Sequence, residues 1–381
     1  MNPAFLRAGA VSVLFVACLF SPSAAQDSSQ TGVVAQRLVP KLSGGLQMGY
    51  ALGQNGQGWP KPWVDPLTNL NRGGFYIDQV RLNAELPLDS SFAAFAKFNF
   101  IKLDVPEVYV RKEWKRWIFT AGKFRGAGLH SAVSQDEFEI PTVLKPFYSR
   151  NWQAQSRRFD SRDLGIQVET SHFGEKFKHR LFAHNANFQT FRGEEPSYYQ
   201  GEATQVLGFD YAWDLQLPDS NAIGGHVGAL ADHEWDEFLG PHDFWEATYW
   251  FKANPLVSGS FYHELRGDSW QWTSEMLLRA NRRLRNDVDS SASQAWGVMT
   301  QFSKRHSPRY QSVWRYEFYD PSDGYYPDDN LHLVTAGLNY WPSPFRLPQV
   351  KFLAEYVRVM EQDFVNTAGN DILYLQTQMT F

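Results

Sequence analysis

The chain has 381 residues, of which 43% are apolar, 16% aromatic and 20% charged, with 28 glycines, 20 prolines and one cysteine, Cys18. Its formal net charge is −5 and its mean hydropathy is −0.43. This composition excludes wholesale disorder, a disulfide or cysteine–metal framework and a nucleic-acid binder that relies on bulk positive charge; it also excludes a helical membrane bundle, since no apolar run reaches about 18 residues.

In chain order, residues 1–25 read as a secretory signal peptide. Arg7 supplies the basic start, Ala8 to Phe20 the apolar run, and Ser23-Ala24-Ala25 a small-residue cleavage site. The run is too short to span a bilayer as a helix, and Cys18 lies inside it, a poor context for lipid attachment. Cleavage would remove Arg7 and Cys18, leaving a cysteine-free chain one unit more negative, as suits export into an oxidising compartment. Residues 26–41 form a short lead-in to a folded region over 42–381.

That region alternates with period 2 in segments of about ten residues separated by turn residues. Val80, Leu82, Ala84 and Leu86 alternate with Gln79, Arg81, Asn83 and Glu85; Leu207, Phe209, Tyr211, Trp213 and Leu215 alternate with Gly208, Asp210 and Asp214. The same holds for Trp245, Ala247, Tyr249 and Phe251, for Trp270, Trp272, Met276 and Leu278, and for Tyr310, Trp314, Tyr316 and Phe318. A soluble sandwich would show alternation too, but with compact β-branched residues inside. Here the apolar faces are rich in Trp, Tyr and Phe, and the polar faces carry both signs of charge, the pattern of a transmembrane barrel with a wet lumen. In hydrocarbon a sheet must close on itself to pair its backbone. The expected fold is therefore an all-β, transmembrane, antiparallel β-barrel.

Seventeen candidate strands can be marked, near 42–52, 74–87, 91–103, 105–114, 117–125, 161–171, 176–189, 203–215, 222–231, 243–252, 256–265, 269–281, 292–303, 309–320, 330–342, 348–361 and 371–381. Bacterial single-chain barrels have an even number, so sixteen is the expectation and eighteen the alternative, with the uncertain stretch at 222–281. Short connections such as 87–90, 115–116, 173–175 and 218–220 suit the periplasmic side. Longer ones, 53–73, 190–202, 232–242 and 321–329, suit the outside.

The longest connection, about 126–160, holds Phe138, Ile140, Val143, Leu144, Phe147, Tyr148 and Trp152. Those residues predict that it packs into the lumen rather than standing in solvent. Its acids, Asp136, Glu137 and Glu139, precede its bases, Lys145, Arg150, Arg157, Arg158 and Arg162, so it is a candidate constriction able to sort ions by charge; a solvated or lipopolysaccharide-binding loop is the competing reading. Alternation turns Arg81, Lys97, Arg111, Lys252, Arg279 and Arg315 toward the lumen, with Glu85, Glu107, Glu113, Asp210, Glu246, Glu275 and Glu317 as acidic counterparts. Cross-strand ion pairing is the structural role expected of most of them.

The final strand, 371–381, alternates to its last residue, with Leu373, Leu375, Thr377, Met379 and Phe381 on one face. A terminal strand ending in Phe381 resembles the assembly signal of bacterial outer-membrane proteins, which implies the barrel-assembly machinery as a partner. Glu107-Val108-Tyr109-Val110-Arg111 followed by WIFTAGKFRG from Trp117 to Gly126, then Arg162-Asp163-Leu164-Gly165-Ile166-Gln167, Phe182 to Asn187, Thr335 to Tyr340 and Glu355-Tyr356, resembles the phosphate-selective porin O and P family. Ala186 stands where that family usually has Gly. The resemblance implies a 16-stranded, trimeric, anion-favouring channel in the outer membrane of a Gram-negative bacterium, in contact with lipid and lipopolysaccharide. It also implies small anions or other hydrophilic solutes as cargo.

The chain lacks that family's basic run on successive strands; only Arg150 to Arg162 approaches one, so a general or weakly selective porin is the expectation. Signatures for zinc peptidases, nucleophile elbows, phosphate loops and dinucleotide sites are missing, and no enzyme, cofactor or metal is expected. Two alternatives remain open at this level: a binding or adhesion barrel with a blocked lumen, and a barrel hydrolase whose Ser and His meet only in space.

Overall fold

Alternation sends one set of side chains to each side of a strand, so a sheet with aromatics on one side and charges on the other has two incompatible faces. The chain separates them by closing into a barrel. The computed structural model describes residues 39–53, 74–101, 103–128, 130–133, 138–143, 145–146, 162–185, 207–231, 255–282, 292–320, 330–344, 348–361 and 371–381. The first half of the wall is β1 (Lys41–Gly53), β2 (Gly74–Pro87), β3 (Phe92–Asn99), β4 (Asp104–Trp114), β5 (Trp117–Arg125), β6 (Arg162–His172), β7 (Phe177–Asn185) and β8 (Leu207–Gln216). The second half is β9 (Ala222–Ala231), β10 (Pro255–Arg266), β11 (Trp270–Arg282), β12 (Ala292–Ser307), β13 (Tyr310–Asp320), β14 (Leu331–Tyr340), β15 (Gln349–Glu361) and β16 (Ile372–Thr380).

Each strand pairs antiparallel with its sequence neighbours, and β1 pairs with β16 to close a ring of sixteen. At the seam, the Gly44 and Phe381 amides exchange bonds with each other's carbonyls at 2.9 and 3.1 Å. Sixteen is the expected number. The seventeenth candidate, 243–252, lies outside the described residues, and the ring closes without it because Ala231 pairs directly with Pro255. Parity gives the reason: when every hairpin reverses direction, an odd ring cannot be antiparallel throughout.

The packing is inside-out relative to a water-soluble protein. Facing inward and buried are Gln47, Arg81, Glu107, Gln167, Asp210, His226, Glu275, Arg315, Glu317, Asn339, Lys351, Glu355, Gln376 and Gln378. Facing outward and exposed are Met48, Val110, Ile166, Leu181, Phe209, Val227, Leu278, Leu338, Phe352 and Leu375. Burying the second set in hydrocarbon and the first in a hydrated lumen satisfies both.

Outward rings gather toward the short-turn ends of the strands, where Trp270, Phe302 and Trp314 follow one another at 6.3 and 6.1 Å and Tyr310, Tyr340 and Phe352 at 4.9 and 6.3 Å. A second group lies near the opposite ends, including Tyr50 with Phe75 and Trp296 with Phe318. These are the two aromatic girdles expected where a barrel meets its membrane interfaces.

Candidate functional site

The connection from β5 to β6 turns into the lumen because its root is shaped for it. Gly122 has φ of +130°, a region closed to residues with a Cβ, and it lets β5 press against Tyr109. At Gly126 an added Cβ would overlap the Phe182 ring. Phe124, Ala127, Phe182 and Ala212, with Tyr109 beside them, make a small apolar core inside the barrel. The chain leaves the wall over this seat. Gly126→Val is expected to lift the root from Phe182 while leaving the wall ladder intact, seen as faster proteolysis of the 126–161 connection in the folded barrel.

Beyond the root, the described parts of the connection are tied to strands that lie far from it in sequence. A single helical turn, α1 (His130–Val133), begins with the His130 and Ser131 amides donating to the two oxygens of Glu275 on β11, at 2.7 and 3.0 Å. The His130 ring stacks on Tyr262 at 3.7 Å, and its Nε2 lies 3.5 Å from Glu264 on β10. The segment 138–143 then runs along β13 to β15. Lys351 Nζ donates to the Phe138 and Ile140 carbonyls at 3.3 and 3.1 Å, and Asn339 donates to the Pro141 carbonyl at 2.7 Å. Arg315 donates to Thr142 Oγ1 at 2.8 Å, and the Val143 amide donates to Glu355 at 2.7 Å. The Arg81 guanidinium on β2 covers the Phe138 ring at 4.4 Å. Inward charges of the wall thus serve as partners for loop backbone that has no strand to pair with.

Elsewhere on the inner wall the charges neutralise one another. Lys97 meets Glu107 at 2.7 Å with Arg125 at 3.8 Å, Arg180 meets Asp214 at 2.5 Å, and Arg315 meets Glu317 at 2.7 Å. Asp210 lies 2.8 Å from both His184 Nε2 and His226 Nε2. The lumen face of the described residues is therefore a mosaic of compensated pairs.

Among the residues singled out from sequence, Arg81 and Arg315 hold the loop, Lys97 is paired with Glu107, and Arg111 pairs with Glu113 at 3.1 Å near the short-turn end. Lys145 is buried and Glu139 exposed. Asp136, Glu137, Arg150, Arg157, Arg158, Lys252 and Glu246 lie outside the described residues. Arg162 opens β6, and the Arg279 Cα pairs with that of Ser258; the side chains of both lie outside the described residues. Phe381 sits at the seam with its ring against Gly44.

Sequence reading missed Glu264, Asn339, Lys351 and Glu355, four wall residues that grip the loop. Lys351 and Glu355 do alternate, but Leu353, Val357 and Val359 share their inward face and blur its polarity.

No known protein family matches the chain, and no curated protein matches it by sequence. Solved structures match its fold. Salmonella typhi OmpF in complex with daunomycin is 8% identical, with a TM-score of 0.59 over 90% of this chain and 98% of that one. The outer-membrane channel DcaP of Acinetobacter baumannii is 11% identical, with a TM-score of 0.56 over 90% and 97%. An in-vitro folded trimer form of OmpT, an outer-membrane protein of Vibrio cholerae, is 10% identical, with a TM-score of 0.55 over 90% and 99%. The chain shares the barrel architecture of these outer-membrane proteins.

Proposed function

We propose that this barrel is an outer-membrane porin, a water-filled channel for passive diffusion of small hydrophilic solutes and ions, rather than an enzyme. One observation carries the reading: a closed ring of sixteen strands presents charged and amide side chains to its interior. A ring of that size leaves an aqueous channel unless it is plugged. The loop tied to β10, β11 and β13–β15 narrows that channel from one side.

Selectivity is weak in this reading. Stripping water from phosphate needs unpaired cations in succession, and among the described residues Lys97, Arg125, Arg180 and Arg315 each face a carboxylate. Size and a modest charge preference then govern passage. Assembly as a homotrimer is part of the proposal, supported by the trimer form of the similarly folded OmpT.

The test is single-channel recording in planar bilayers with refolded protein under a KCl gradient. Stepwise, long-lived openings with a reversal potential close to zero are expected. Folded, heat-modifiable protein without steps would remove the channel reading. A strongly chloride-selective potential, lost on neutralising Arg150, Arg157 and Arg158, would place selectivity in the loop instead.

A further inference from the structure

The short-turn rim of the barrel carries cations that the lumen does not use. The β12–β13 tip reads Lys304-Arg305-His306-Ser307-Pro308-Arg309, and Lys304, Arg305, His306 and Arg309 are all exposed. Its backbone is pinned on both sides: the Arg305 amide donates to the Ser269 carbonyl at 2.6 Å, and the Trp341 amide donates to the Arg309 carbonyl at 2.9 Å. His306 is occupied by Ser312 at 2.8 Å. Among the described residues, Lys304, Arg305 and Arg309 have no carboxylate partner, in contrast with the paired cations of the inner wall.

Two of these cations, Lys304 and Arg309, stand directly beyond an outward aromatic shelf. Lys304 pairs in register with Trp270, and Arg309 precedes Tyr310, which stacks on Tyr340 at 4.9 Å. Arg305 instead pairs with Gln311 on the inward face and lies 5.4 Å from the centre of the buried Trp341 ring. The arrangement recurs in smaller form half-way round the ring, at the two-residue tip between β4 and β5. There Lys115 lies 5.4 Å from the Trp114 ring and Arg116 5.7 Å from the Trp117 ring. Among the described residues, the tips between β2 and β3, β8 and β9, and β10 and β11 carry Asp89, Asp219 and Asp268, and that between β6 and β7 sets Glu175 beside Lys176, so the positive charge there is local.

Rings at this level sit where the acyl chains of a bilayer give way to its headgroups. A cation just past them lies at phosphate depth, where each contributes roughly 1 kcal/mol of attraction to an acidic leaflet. A soluble anion would gain nothing from the shelf, whereas a phospholipid meets rings with its glycerol and chains and cations with its phosphate. We infer that Lys304 and Arg309 of the β12–β13 tip, with Trp270, Tyr310 and Tyr340 beneath them, form a binding site for an anionic phospholipid headgroup, and that the β4–β5 tip is a second copy. The inference rests on the reading that the barrel spans a bilayer.

The test uses the full-length refolded protein in micelles doped equally with phosphatidylglycerol and phosphatidylcholine, with bound lipid counted by native mass spectrometry. Phosphatidylglycerol is expected to be retained in preference, with the preference reduced by salt. The variant K304Q/R309Q should bind it about 25-fold more weakly, at roughly fivefold per cation removed, while R309K keeps it. Equal retention of both lipids by the unmodified protein would overturn the site. So would displacement of the lipid by millimolar inorganic phosphate, which would reduce it to an anion contact. Neither Lys304 nor Arg309 lies on the inward face of the strands, so the double variant should conduct as the parent does. Loss of conductance in both proteins would instead count against the channel.

Discussion

Replacing Glu275 and Glu355 together by alanine is expected to raise single-channel conductance and to turn steady openings into rapid flicker. The two carboxylates receive three loop amides, from His130, Ser131 and Val143, at 2.7, 3.0 and 2.7 Å. A hydrogen bond to a buried charged group contributes about 1.5–3 kcal/mol, so the pair anchors the loop by several kcal/mol. Lumen water will recover part of that for the freed amides. The remaining ties from Arg315, Asn339 and Lys351 hold 138–142, and α1 keeps only the contacts of the His130 ring with Tyr262 and Glu264. The wall ladder does not involve either carboxylate side chain, so migration before and after heating should be unchanged. An unaltered conductance in correctly folded protein would mean that the described loop does not border the narrowest passage.

The second large effect is on insertion. Leu375 lies on the outer face of β16, 46% exposed, between Tyr50 of β1 and Ala354 of β15. It borders an apolar groove of about 770 Å³ that runs over the β1–β16 seam and is also lined by Met48, Phe75, Leu338 and Phe352. Leu375→Arg should cost about 2–4 kcal/mol if the residue sits near the bilayer midplane. Asn83→Arg, on the lumen face of β2 beside Glu85, should leave insertion intact. Urea titrations in lipid vesicles would compare the two. Similar costs for both would contradict the assignment of inner and outer faces.

The faces were legible because two chemistries alternate without interruption along strands such as Tyr310–Asp320. The lumenal loop was legible from its apolar content, and Phe138, Ile140 and Val143 are the residues now held against the far wall. The alternation of Trp245, Ala247, Tyr249 and Phe251 at 243–252 lies outside the described residues, and the ring closes through Ala231 and Pro255 without it. Local pattern reports a preference for extended backbone and says nothing about whether a pairing partner is free. The grip of Asn339, Lys351 and Glu355 on the loop joins residues about 200 positions apart, and no short-range periodicity encodes such a meeting.

The seam has a consequence for how this molecule comes into being. Every other strand pairing joins sequence neighbours and can form as soon as a hairpin emerges, but Gly45 meets Thr380 only after the last strand has arrived. Until then the sheet has two raw borders, one along β1 and one along β15, each able to recruit strands from another chain. Formation is therefore a zipper with one late clasp, and its slow step is a search over more than 300 residues of separation. A chain halted before residue 371 would be hairpin-rich and open. Its hazard would be joining a neighbour border to border, so the closing strand 371–381 guards against the unfinished product.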